Sequence, residues 1–135
     1  MTKEKLIIHD NVLLAKLILG DSWNEGLSFY SDEKDFIQVG TWKYNSGKEL
    51  LAHKHNIVPR NSDITQEVIY VKKGKLLAKI YDLNNTFLEE HEMRSGDCMI
   101  MLRGGHSYTI LEDDTEVLEV KNGPYFGAEI DRVRF

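Results

Sequence analysis

Five histidines occur in the chain, and two of them, His53 and His55, stand one residue apart in "LLAHKHNIVP". On a β-strand, residues i and i+2 point to one face, about 6.5–7 Å apart along the backbone. Two imidazoles so placed can share one cation. Leu51 falls on the same face, and a turn at Gly47 starts the expected strand. Taken alone the pair is weak, because His-x-His spacings arise readily by chance.

A second piece lies in "TQEVIYVKKG". Glu67 begins a strand whose same-face neighbours are Ile69 and Val71, and a carboxylate beside apolar side chains needs a cation or a hydrogen-bond partner. The alternation also permits the opposite face, with Gln66, Val68 and Tyr70 pointing inward, which leaves Gln66 as an alternative ligand. The third piece is "SGDCMIMLRGGHSYTI", in which Gly104-Gly105 allows a tight turn before His106, and Tyr108 shares the face of His106. Together His53, His55, Glu67 and His106 make a nitrogen and oxygen donor set suited to Zn, Fe, Mn or Ni. Glu67 and Tyr108 are also candidates for proton transfer. Trp42 or Tyr44, with Ile69, would wall a pocket for a small organic ligand, although ordinary core packing explains the aromatic residues equally well. Arg60 would reach over the mouth to an anionic group, against the plainer reading of a solvated loop arginine. His9 and His91 read as solvated surface residues.

The elements that must position these residues read as short strands between turns. "FIQVGTWKY", "ELLAH", "QEVIYVK", "LLAKIYD", "FLEEHEM", "CMIML", "HSYTILE" and "EVLEV" are separated by Gly-, Asn- and Asp-containing stretches. Turn signals recurring at intervals of about 8–12 residues predict an all-β sandwich or barrel. "NVLLAKLILG" is ambiguous between strand and short helix, and we read it as strand. The long loop expected within the barrel spans residues 56–65.

A length of 135 residues suits one domain. The net charge of −5 and the dispersed Lys and Arg residues argue against a nucleic-acid partner. No apolar run approaches the eighteen or so residues of a spanning helix, so no membrane partner is expected. Lys16 interrupts the apolar stretch "VLLAKLILGDSW", which reads as structure and not as a signal core. One cysteine, Cys98 in "CMIML", fits a buried apolar site and a reducing compartment, hence a cytoplasmic location.

The order Gly47-x5-His53-x-His55, then Glu67-x6-Gly74, then Gly96 and Gly104-x-His106, resembles the two motifs of the cupin superfamily over residues 36–121. That resemblance implies a double-stranded β-helix of jelly-roll type, one domain over 1–135, and His53, His55, Glu67 and His106 as ligands of one divalent transition metal per chain. Two departures stand out. Eleven residues separate His55 from Glu67, far more than is usual there, and the second motif has Leu102 where a proline is usual and Ile110 where an asparagine is usual. The chain further resembles small bacterial cupins of surface-polysaccharide pathways. The expected function is a metal-dependent enzyme, of isomerase, lyase or dioxygenase type, on a small sugar-derived or anionic metabolite. The alternatives are a metal-free sugar-nucleotide isomerase or epimerase with a histidine base, and a non-catalytic module that binds a metal or small ligand. A homodimer is expected, built by pairing edge strands or exchanging N-terminal ones.

Overall fold

The computed structural model describes residues 3–135. It contains ten strands in three antiparallel sheets and one short helix. The strands are β1 (Glu4–His9), β2 (Val12–Ile18), β3 (Gly26–Phe29), β4 (Gly40–Lys43), β5 (Glu67–Lys73), β6 (Lys75–Tyr81), β7 (Phe87–Arg94), β8 (Cys98–Met101), β9 (Gly105–Ile110) and β10 (Glu116–Lys121), followed by α1 (Ala128–Asp131). A five-stranded sheet runs β1-β2-β8-β5-β10, a three-stranded sheet runs β7-β6-β9, and β3 pairs with β4 alone. None of the three closes on itself. The all-β class is as expected, and "NVLLAKLILG" supplies strand β2.

Local chemistry accounts for much of this. In "KLLAKIY" the alternation places Leu76, Ala78 and Ile80 in the interior and Lys75, Lys79 and Tyr81 towards water. Asp10 and Asn11 both take positive φ, 49° and 61°, and make the two-residue hairpin turn between β1 and β2. Gly74, at φ 84°, is the single-residue bend that carries the chain from β5 in one sheet to β6 in the other.

The interior lies between the two larger sheets. Ile7, Leu14, Leu17, Ile69, Val71, Leu76, Ile80, Met93 and Met99 pack there, with Tyr108 against them. The opposite face of the five-stranded sheet is covered by residues 30–39, where Tyr30 and Ile37 pack on Ile18, Val68 and Ile100. Because both of its faces are covered, β5 is buried on both sides through Ile69. Cys98 packs against this second cluster, and burial pushes its thiol up to about 11.

Two expected strands are corrected. "FIQVGTWKY" contributes only Gly40–Lys43, and "ELLAH" is no strand, since residues 44–66 carry no regular structure. Alternating side chains favour extended backbone, but a strand also needs a neighbour to take its backbone hydrogen bonds. Residues 46–61 have none; their hydrogen bonds among the described residues are local, such as Lys48 N–H to Asn45 O at 3.3 Å. The irregular stretch is thus about twice as long as the 56–65 loop anticipated. His91 is also corrected. Its side chain is 11% exposed, with Nε2 3.5 Å from Glu89 Oε2 on β7. No helix among the described residues is long and apolar enough to cross a membrane.

Candidate active site

Glu67 is the first residue of β5, and its side chain is 11% exposed. It pairs with Met101 of β8 on one side and with Lys121 of β10 on the other. Same-face alternation then places Glu67, Ile69 and Val71 on the interior side of the sheet. Across the interior, β9 presents His106 and Tyr108, whose strand partners on β6 are the buried residues Ile80 and Ala78. Both side chains converge on one carboxylate oxygen. The Tyr108 hydroxyl donates to Glu67 Oε1 at 3.3 Å, and His106 Nε2 lies 3.5 Å from the same atom. The two rings sit side by side, 5.2 Å between centroids.

The turn that delivers His106 depends on Gly104. Its φ is 77°, and a Cβ there would overlap the carbonyl oxygen of Tyr81. The double glycine therefore lets β9 start against the end of β6.

Burial sets the protonation of this group. Loss of water, followed by the nearby Glu119 carboxylate, pushes Glu67 up from 4.5 to about 7. Burial lowers His106 below its usual 6.5, so it is a neutral imidazole at neutral pH. Burial and then the charge of Glu67 raise the Tyr108 phenol, which keeps its proton. A carboxyl titrating near pH 7 thus lies between a neutral imidazole and a phenol. Such a carboxyl can take or give a proton at neutral pH.

Gln66 and Glu67 point to opposite sides of β5, and both are buried. The Gln66 side-chain oxygen accepts the backbone N–H groups of Phe36 and Ile37 at 2.8 and 3.1 Å. It ties the covering segment to the sheet, and it is Glu67 that faces His106.

The other anticipated residues lie elsewhere. His53 and His55 are exposed in the irregular segment, with rings 5.2 Å apart, and His53 Nδ1 lies 3.1 Å from Leu51 O. Within one chain the pair does not join Glu67 and His106, and among the described residues no three His, Cys, Asp or Glu side chains are placed to hold a metal. Arg60 is exposed and donates to the carbonyl of Val58 at 3.3 Å. Trp42, on the β3–β4 hairpin, and Tyr44 beyond it are both largely exposed. Ile69 is buried beneath Glu67.

No family model matches the chain, and no curated protein or solved structure matches it either.

Two residues near the site carried no mark in the sequence. Glu119 is paired with Ile69, and Lys121 with Glu67, so both share the Glu67 face. Lys121 Nζ lies 3.6 Å from Glu119 Oε1. "EVLEVK" alternates too poorly to show which residues face inward, and only the register with β5 decides it.

Proposed function

We propose that the chain is a cupin-type enzyme that moves a proton on a small, oxygen-rich metabolite such as a keto sugar. The supporting observation is the placement of Tyr108 Oη and His106 Nε2 at 3.3 and 3.5 Å from one oxygen of Glu67. Glu67 as carboxylate takes the proton beside the carbonyl and returns it to the former carbonyl carbon, while the adjacent hydroxyl gives its proton to the former carbonyl oxygen, so that ketone and alcohol exchange places. The Tyr108 hydroxyl, or His106 in the N–H tautomer at Nε2, donates a hydrogen bond to the enolate oxygen that forms. Lys121, on the same face, attracts an anionic group of the substrate.

The test is deuterium wash-in. In D2O with a panel of free and nucleotide-linked keto sugars, the protein places deuterium beside the carbonyl of one of them, read by mass spectrometry. Glu67→Gln slows the exchange by about 100-fold or more, the usual weight of a general base. Exchange that is equally fast in Glu67→Gln, or no exchange with any ketone, removes the proposal.

A second reading is favoured by the same Glu67 and His106, which are a carboxylate and an imidazole donor beside a chain that also carries the His53-x-His55 pair. In that reading the protein binds one divalent transition metal per chain. Elemental analysis of untagged protein then gives close to one metal per chain, and His53→Ala and His106→Ala each lower it while His91→Ala does not. A metal content that His53→Ala leaves unchanged removes this reading.

A further inference from the structure

The side of the molecule beside Glu67 is open. Among the described residues β10 pairs only with β5 and β9 only with β6, so each has a free edge there. All six residues of β10 are exposed, although three of them, Val117, Leu118 and Val120, are apolar. A strand with both faces in water and an unpaired edge invites another strand.

The same chain carries an extended arm with the opposite need. In residues 46–61, Leu51 is 84% exposed and Ile57 fully exposed, and Leu50 and Val58 are about half exposed. The arm's hydrogen bonds are local, and its charged residues are Lys48, Lys54 and Arg60 against one acid, Glu49. The open side holds three acids, Glu67, Glu116 and Glu119, against Lys121 and against Lys72, whose Nζ lies 3.5 Å from Glu116 Oε2. Beyond the arm the chain is tied down again, because Asn122 Nδ2 donates to Ser62 Oγ at 2.7 Å and Thr65 Oγ1 donates to Asp131 at 2.6 Å. The arm thus leaves the domain after β4 and rejoins it next to the end of β10. At about 3.3 Å per residue, sixteen residues anchored at both ends can extend roughly 25 Å from the domain and return, enough to reach a neighbouring molecule.

We propose that a second copy of this chain lays its residues 46–61 along the open side between β9 and β10, and receives the same arm in return. One contact made twice across a two-fold axis then covers the arm's apolar residues and β10 together. It also brings the partner's His53 and His55 to the Glu67–His106–Tyr108 group, so each site is built from two chains. The inference holds for either chemistry of the site, since it concerns only which chain supplies the pair.

Isotope-mixed cross-linking tests it on the unaltered chain. Equal amounts of unlabelled and 15N-labelled protein are unfolded together, refolded and treated with an amine-reactive cross-linker. The expected result is a particle of twice the chain mass by light scattering and a Lys54–Lys121 cross-link. About half of those cross-linked pairs join a light to a heavy peptide, as random pairing of two chains requires. Pairs joining only like-labelled peptides would show the arm folded onto its own chain and overturn the proposal. A monomeric mass, or a dimer without a Lys54–Lys121 link, overturns it as well.

Discussion

Replacing Glu67 with glutamine isolates the energetic cost of holding a carboxylate at this position. The side chain keeps its size, and the titration disappears. Glu67 ordinarily titrates at 4.5 and is pushed up to about 7 in the folded chain. At about 1.4 kcal/mol per tenfold change, that displacement corresponds to at most about 3 kcal/mol. The site opens to water on one side, and screening there reduces the expectation to about 2 kcal/mol. The sign follows from proton binding. Between pH 4.5 and 7 the folded chain holds a proton that the unfolded chain has released, so stability present at low pH is lost as pH rises. His106 acts in the opposite sense, because its folded value lies below 6.5 and its contribution is lost as pH falls. Both chains carry His106, so it drops out of the difference to first order. Urea unfolding from pH 4.5 to 8, at one protein concentration, should show Glu67→Gln gaining about 2 kcal/mol on the parent, the gain building up between pH 4.5 and about 7 and levelling off above that. A flat difference, or one that falls with pH, would refute the placement of this carboxyl in a desolvated, acid-flanked site.

Two further substitutions probe the scaffold. Gln66→Ala removes the acceptor of two backbone N–H groups and should cost about 2 kcal/mol in urea unfolding, with faster amide exchange at Phe36 and Ile37. Unchanged exchange there would show that Gln66 does not hold the covering segment. Gly104→Ala sets a Cβ against the Tyr81 carbonyl oxygen at a φ of 77°. It should cost at least about 2 kcal/mol and shift the His106 ring resonances, whereas an unperturbed His106 would mean that the turn does not set its position.

Much of the scaffold was legible because period-two patterning and turn chemistry are local. "LLAKIYD", "QEVIYVK", "CMIML" and "EVLEV" became strands close to where their side chains alternate. Same-face logic joined His106 to Tyr108 and offered Glu67 for the interior, and the structure brings these three together. The reading failed at "ELLAH". Its alternation is as good as that of other strands, but alternation does not supply the neighbour that accepts backbone hydrogen bonds.

The sequence by itself determined which residues carry donors and protons, where the chain turns, and that the class is all-β. Tertiary structure decided what those residues meet. Both faces of β5 are covered, so Gln66 and Glu67 are each buried, one bonded to the backbone of 36 and 37 and the other facing His106. The register of β10 brings Glu119 and Lys121 to the same face. The physical reason is range: side-chain direction along a strand follows from its own residues, whereas pairing, burial and the resulting pKa of Glu67 depend on segments far away in the chain.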